Sequence, residues 1–307
     1  MSLVVFGSIN RDVVMRVAHL PRPGETLCAQ SHDLLPGGKG ANQATAAALQ
    51  GVPTIMLGAV GEDAHGAAMR AALAAAGVDT AAIAHVPGPT GLAYVFVAED
   101  GENQIVIVPG ANGALRAPAS LPPGTTMALA QAEVAPDEVA AFLALARKAG
   151  ATTLYNAAPA TDEARAALAL ADIVVVNETE LAFFLGEPEP PHGEAAVARA
   201  ATRLACHPQP GHARQWVIVT LGGAGVLAHG PEGTIRLPAP RVPVVDTTGA
   251  GDTFCGVLAA RLAQGAMMPE ALAFAVAAAA LAVQRAGAAA AMPTRGDVEA
   301  ALACSTR

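Results

Sequence analysis

Apolar runs of strand length alternate with alanine-rich segments of helical period along most of the chain, the pattern of a mostly parallel sheet covered by helices on both faces. Residues 3–7 read as the first strand, and their lack of polar alternation implies burial on both sides. A helix is predicted over 41–49, a strand over 55–59 and a helix over 64–76, closed by Gly77. The same unit returns as a helix at 137–149, a strand at 152–155, a helix at 161–169 with Thr161 as its N-cap, and a strand at 173–176. Two strands, 216–220 and 225–228, flank a glycine-rich turn. A buried strand at 242–245 then leads into helices over 251–264 and 269–285.

Two segments break this rhythm. Residues 12–30 carry Val13, Val14, Met15 and Val17 and then Pro21, Pro23 and Gly24, while residues 90–108 alternate across a turn at Glu99, Asp100 and Gly101. Neither has a helical period. They predict a small antiparallel sheet inserted into the α/β body, which would act as a lid over the carboxyl ends of the strands. The division expected is a body of 1–10, 37–87 and 110–307 and a lid of 11–36 and 88–109. Alternation predicts that Val95, Val97, Val106 and Val108 share one apolar lid face. Pro188, Pro190, Pro191 and residues 207–214 read as surface loops.

Composition narrows the function. With 53% hydrophobic and 14% charged residues the chain can build a large core, which excludes a disordered tail. A net charge of -8 argues against a protein that coats nucleic-acid phosphates, and ten aromatic residues are too few for a set of base-stacking platforms. Cys28, Cys206, Cys255 and Cys304 show no metal or disulfide spacing, and His207 and His212 read as solvated. The first residues lack a basic segment, and Gly7 interrupts their apolar run. The most apolar stretch, 271–283, lies between Glu270 and Arg285 and is shorter than the roughly 20 residues a membrane span needs. A soluble cytoplasmic protein with no nucleic-acid or membrane partner is expected.

The most informative stretch runs from Asp246 through Thr247, Thr248, Gly249, Ala250 and Gly251 to Asp252. A helix starting near Gly251 leaves its first amides unpaired and places the positive end of its dipole there, a site for a transferring phosphoryl group. Asp252 would stand beside that phosphate and accept a proton from an attacking hydroxyl. The alternative is that Asp252 only complements the helix terminus. A second glycine-rich turn, Gly37-Gly38-Lys39-Gly40, opens the helix that carries Asn42. It is not a P-loop, because Gly40 stands where Ser or Thr is required, and no GxGxxG follows the first strand, which argues against a nicotinamide oxidoreductase. The glycines would let a polyhydroxylated ligand approach, with Lys39 and Asn42 as donors; a plain tight turn with an exposed lysine is the other reading.

GSINRD at 7–12, GGKGANQA at 37–44, VNETE at 176–180, TLGGAG at 220–225 and DTTGAGDTF at 246–254 together resemble the PfkB carbohydrate kinase family, in order and at plausible spacing from Leu3 to about Pro293. Within it the chain is most similar to the members that phosphorylate ribose. Thr90-Gly91, Gly101 to Asn103 and the PGAN at 109–112 resemble lid and hinge segments. The resemblance implies ATP-dependent phosphorylation of the 5-hydroxyl of D-ribose, with Asp252 as catalytic base and Ala250 and Gly251 in its anion hole. Asn10, Asp12, Gly38, Lys39, Asn42 and Glu133 resemble the sugar pocket. Asn177, Thr220, Gly222 and Gly225, with Gly251, resemble the nucleotide side, and Glu180 resembles a water-mediated magnesium ligand. Asn177 and Glu180 also fit a plain helix-capping pair.

A potassium site is implied at Asp246, Thr248, Ala282, Arg285, Gly287 and Ala291, mostly through the backbone. Here the chain departs from the pattern: Ala288 to Ala291 supplies no hydroxyl where relatives often have one, which puts one contact in doubt. The resemblance also implies a homodimer through the lid sheet. Two alternatives remain: the same chemistry on a nucleoside, fructose or a keto-deoxy sugar acid, and a sugar-binding homologue without catalysis.

Overall fold

The computed structural model describes residues 1–205 and 215–305. Cys206 and the whole loop expected at 207–214, with His207 and His212, lie outside the described residues.

β1 (Ser2–Phe6) sits inside the sheet and is buried along its length, Leu3 and Val5 entering one core and Val4 and Phe6 the other. The chain continues through β2 (Asn10–Val17), β3 (Ser31–Gly37), α1 (Lys39–Ala48), β4 (Thr54–Leu57), β5 (Ala59–Gly61), α2 (Ala64–Ala75), β6 (Val78–Asp79) and β7 (Ala84–Val86). Then come β8 (Gly91–Ala98), β9 (Asn103–Val108), β10 (Thr125–Gln131), α3 (Pro136–Lys148), β11 (Thr152–Asn156), α4 (Arg165–Leu168), β12 (Ile173–Asn177), α5 (Glu178–Leu185) and α6 (Glu194–Ala205). β13 (Trp216–Thr220), β14 (Val226–Gly230), β15 (Gly233–Leu237), α7 (Ala250–Ala263), α8 (Met268–Ala282) and α9 (Arg295–Ser305) complete it.

The main sheet has nine strands in the order β15-β14-β13-β12-β11-β10-β1-β4-β6, parallel from β6 to β13 and antiparallel in its last two pairings. Helices α1, α2, α7, α8 and α9 cover one face and α3, α4, α5 and α6 the other. Phe6 stacks on Phe142 of α3 with ring centroids 4.8 Å apart, tying strand to helix across the second core. Strand order reverses between β1 and β10, and ligands of open α/β sheets bind outside the carboxyl ends at such a switch.

The inserted segments form a four-stranded sheet, β3-β2-β8-β9. Its outer pairs are antiparallel as expected, but β2 and β8 run parallel because the chain returns to the main body between them. Register also divides the four valines. Val95 and Val97 lie opposite Ile105 and Asn103, whereas Val106 and Val108 lie opposite Tyr94 and Leu92. Directly paired residues share a face, so the two pairs point to opposite sides and the single apolar face expected does not exist.

Two other expectations fail locally. Residues 242–245 form no strand: Pro238, Pro240 and Pro243 remove ladder donors, Val244 and Val245 are exposed, and the Val245 and Asp246 amides donate instead to the Val283 carbonyl at 2.8 and 3.2 Å. The helix expected at 161–169 shrinks to α4, with Ala164 rather than Thr161 as N-cap. The Arg165 amide donates to the Asp162 carbonyl at 3.2 Å, an i to i+3 bond, so the first half is turn.

Asp63, the N-cap of α2, ties that helix to Thr90 at the start of β8. Its Oδ1 accepts from the Gly66 amide (2.7 Å) and the Thr90 hydroxyl (2.6 Å), and Oδ2 accepts from the Thr90 amide (2.8 Å). Replacing Asp63 by Ala removes all three bonds, and urea unfolding should show a loss of about 1–2 kcal/mol.

Candidate active site

Every motif residue singled out from the main sheet lies beyond a strand's carboxyl end. Gly7 to Asn10 leave β1, Glu133 follows β10, Asn177 ends β12 and Thr220 ends β13, paired in register with Asn177. The glycines of the second motif are set by close approach. A Cβ on Gly37 would fall 2.1 Å from Asp12 Oδ1, one on Gly38 2.7 Å from the Asn10 amide nitrogen, and one on Gly40 2.6 Å from the Gly7 carbonyl carbon. Gly38 also has a φ of 88°, which side chains disfavour. This turn and the end of β1 are thereby locked together.

The side chains converge on one carboxylate. Asp252, in the first turn of α7, is 7% exposed. Its Oδ2 accepts from Asn42 Nδ2 at 3.1 Å and its Oδ1 from Gln43 Nε2 at 2.9 Å. Glu133 Oε2 accepts from the Ser8 hydroxyl (2.6 Å) and the Lys39 amide (2.9 Å), joining β1, β10 and the start of α1. Asn10 is held by Asn112, whose Nδ2 donates to Asn10 Oδ1 at 2.7 Å. Asp12 Oδ1 and Asn42 Oδ1 are buried with no hydrogen-bond partner. Three carboxylates, Asp252, Glu133 and Glu180, hold the Lys39 ammonium above the ordinary lysine range, Asp252 contributing most, against the opposing effect of burial. Burial, reinforced by Glu133 and Asp252 and opposed by Arg11, pushes the Asp12 carboxyl up to about 7.

The start of α7 provides an amide cradle. Gly249 is the N-cap with a φ of 73°. The Ala250 amide donates to the Thr247 carbonyl at 3.2 Å and the Thr253 amide to the Gly249 carbonyl at 2.8 Å. The amides between them, of Gly251 and Asp252, are those that helix geometry leaves without an intrahelical acceptor. A Cβ on Gly251 would meet no protein atom within 4 Å, so packing does not demand glycine there.

Beyond this, Asn177 and Glu180 form a capping box at α5: Asn177 Oδ1 accepts from the Glu180 amide and Glu180 Oε2 from the Asn177 amide, both at 2.8 Å. Burial raises the Glu180 carboxyl, against the Asn177 amide and the charge of Lys39. The glycine turn after β13 has positive φ at Gly222 and Gly225. Thr220 lies at its base, its hydroxyl within 3.4 Å of the Val176 carbonyl. Asp246 closes the remaining loop: Oδ1 accepts from the Thr248 amide (2.9 Å) and hydroxyl (2.6 Å), and Oδ2 from the Gly287 amide (2.8 Å). Burial pushes its carboxyl up, but these donors outweigh burial and hold it below the ordinary range. The Arg285 amide donates to the Ala282 carbonyl and the Ala291 amide to the Ala288 carbonyl, so the last loop is built from its own backbone.

Residues 1–295 match the pfkB family of carbohydrate kinases. The chain belongs to that family. It is 35% identical over 305 residues to the ribokinase of Haemophilus influenzae, covering 96% of each chain. A Salmonella typhimurium deoxyribokinase is 35% identical over 267 residues, 84% of this chain and 85% of that one. The solved Arabidopsis thaliana ribokinase complexed with ribose and ATP superposes with a TM-score of 0.88 at 34% identity and 98% coverage of both chains. The fold is therefore ribokinase-like.

Sequence reasoning did not single out Ser8, Gln43, Asn112, Gln131 and Asn156, which hold the named residues in place. Gln43 lay inside the quoted glycine motif, and a glutamine among alanines on an otherwise small, apolar helix was the available signal.

The Asp12 carboxyl titrates near 7 in the folded chain and near 3.8 when unfolded, so its stabilising contribution is complete below about pH 3.8 and is lost as pH rises through about 7. Asp12→Asn should therefore gain stability relative to wild type as pH rises from 5 to 8, reaching a few kcal/mol. Thermal melts of the ligand-free proteins test this, and an advantage that is constant with pH would contradict it.

Proposed function

We propose that the protein transfers the γ-phosphoryl group of ATP to the 5-hydroxyl of D-ribose. The single observation that carries this reading is the buried Asp252 carboxylate, fixed by two side-chain amides at the start of α7 beside the outward amides of Gly251 and Asp252. Asp252 accepts the hydroxyl proton as the new O–P bond forms, and the Ala250–Gly251 turn with the helix dipole stabilises the charge on the moving phosphoryl group. The family and the ribose- and ATP-bound relative support the same assignment.

The sugar would be held by Asn10, Asp12, Gly38, Lys39, Asn42 and Glu133. The partnerless acceptors Asp12 Oδ1 and Asn42 Oδ1 suit a ligand with several hydroxyl donors in fixed directions. Ionised Asp12 accepts such hydroxyls, so binding should favour the deprotonated form. Asn177, Thr220, Gly222 and Gly225 would line the nucleotide. Glu180 Oε2 is committed to the Asn177 amide, which suits a magnesium contact through water. Magnesium bound with the nucleotide supplies positive charge at its phosphates. The Asp246 loop fits a potassium ion in charge: one carboxylate plus carbonyls of Thr248, Ala282, Arg285, Gly287 and Ala291, with Ala291 contributing only its backbone.

Residues 11–36 and 88–109 would act as a lid hinged at Asp63 and Thr90, over a body of 1–10, 37–87 and 110–307. Both faces of the second sheet expose apolar side chains, Leu34, Val106 and Val108 on one and Leu35, Ile105 and Ile107 on the other, which supports pairing of two lids in a homodimer; cytoplasmic ATP is the expected phosphoryl source.

Asp252→Asn should lower turnover by roughly 10² to 10⁴ while leaving sugar affinity nearly unchanged. Coupled ADP release across ribose, deoxyribose, nucleosides, fructose and a keto-deoxy sugar acid, with and without K⁺, should give ribose the highest kcat/KM. Preference for another acceptor, or wild-type turnover in the variant, would overturn the assignment. Sedimentation at micromolar protein should show a dimer; a monomer alone removes the lid pairing.

A further inference from the structure

We propose that Gln43 is a positioning residue for the phosphoryl transfer, fixing through a buried amide relay the orientation of the Asp252 carboxylate that acts as base. The inference rests on Asp252 being the base, as proposed above.

Gln43 is fully buried on α1, which packs against α7. A Cβ on Gly256, one turn beyond Asp252, would lie 2.4 Å from the Gln43 carbonyl oxygen and 2.7 Å from Ala46 Cβ. The two helices touch through backbone here, which puts the Gln43 side chain within reach of Asp252.

The orientation of each amide follows from an acceptor that cannot donate. Asn156 Nδ2 donates to the Val175 main-chain carbonyl at 3.3 Å, so Asn156 must turn its Oδ1 toward Gln43. Gln43 must then present Nε2, whose two hydrogens go to Asn156 Oδ1 at 3.0 Å and Asp252 Oδ1 at 2.9 Å. Its Oε1 faces the other way and accepts from Gln131 Nε2 at 2.8 Å. Gln131 and Asn156 are register partners at the carboxyl ends of β10 and β11, so the relay is anchored on the rigid sheet. Gln131 Oε1 packs where a Cβ on Gly7 would be only 1.9 Å away, which leaves that amide little room to rotate.

The consequence at Asp252 is orientational. Gln43 Nε2 takes one lone pair of Oδ1 and Asn42 Nδ2 one lone pair of Oδ2, and each oxygen keeps a second. Gripped at both oxygens, the carboxylate is stopped from rotating about its Cβ–Cγ bond, and the sheet-anchored relay on the Oδ1 side fixes the direction in which a free lone pair meets the substrate hydroxyl. Near-attack geometry is lost with small displacements of such a group.

Gln43→Met preserves length and removes the amide. It should lower kcat roughly 10- to 100-fold with the KM values for ribose and ATP changed less than about threefold. In an Asp252→Asn background the same substitution should cost nothing further, because its effect passes through the carboxylate. Circular dichroism checks folding. If Gln43→Met does not fold, Gln131→Met, which leaves the Asp252 contact in place but loosens Gln43, takes its position in the cycle, with a smaller loss that again vanishes beside Asp252→Asn. Equal losses in both backgrounds, or a folded Gln43→Met with kcat within twofold of wild type, overturn the inference. Unimpaired turnover in Asp252→Asn alone would instead overturn the assignment of the base.

Discussion

One backbone contact between helices organises the site. Because Gly256 has no side chain, α7 lies directly on α1, close enough for consecutive amides of α1 to reach both oxygens of Asp252. α7 itself is apolar around most of its circumference and buried, as such a helix must be, so its position is set by packing on both α1 and α8 and not by the polar contacts at its end. The polar contacts exploit a geometry that the core has already fixed. An alanine stripe on α1 serves the same end, since larger side chains at Ala46 or Ala47 would hold the helices apart.

Charge is the second constraint. Asp12, Glu133 and Asp252 bring three carboxylates together, and the Lys39 ammonium stands near Asp252, Glu133 and Glu180. Lysine is scarce in this chain, with two against sixteen arginines, and its compact charge suits a place where a planar guanidinium would have to be accommodated among several acids. Glu133 is further neutralised by the Ser8 hydroxyl and the Lys39 amide. Asp12 has no such donors on Oδ1, and its carboxyl is the one pushed up to about 7. The imbalance is local and falls on a group proposed to touch the sugar.

The α/β body was legible in the sequence because its strands are continuous apolar runs and its helices end on glycines such as Gly77, Gly150 and Gly186. Failures came where a local pattern competed with tertiary demands. Val242 to Val245 look like a buried strand, but the surrounding prolines forbid ladder bonds, and Val244 and Val245 end up exposed. The four valines of the second sheet alternate correctly within each strand; the register between β8 and β9, which alternation in one strand cannot reveal, separates them. At the site, residues with expected chemistry stood out as Asp, Asn or Lys in glycine turns. Gln43, Gln131 and Asn156 did not, because a buried amide is recognisable only by the partners that satisfy it.

Those partners also bear on acceptor choice. The ribokinase of Haemophilus influenzae and the deoxyribokinase of Salmonella typhimurium are each 35% identical to this chain, over 96% and 84% of it, so percentage identity alone does not separate sugars with and without the 2-hydroxyl. The discrimination has to come from individual polar atoms. A buried acceptor such as Asp12 Oδ1 or Asn42 Oδ1 bears a desolvation cost that only a donor can relieve. A sugar that supplies a hydroxyl to each relieves both, and one lacking a hydroxyl leaves an acceptor stranded in a site closed to water. Selectivity built this way exceeds what an apolar pocket achieves by shape, because the penalty is a lost hydrogen bond to a desolvated, partly charged group and not a lost methylene contact. The same unmet acceptors make the ligand-free site unfavourable in itself, so sugar binding and the settling of the second sheet over the strand ends would draw on a single source of free energy.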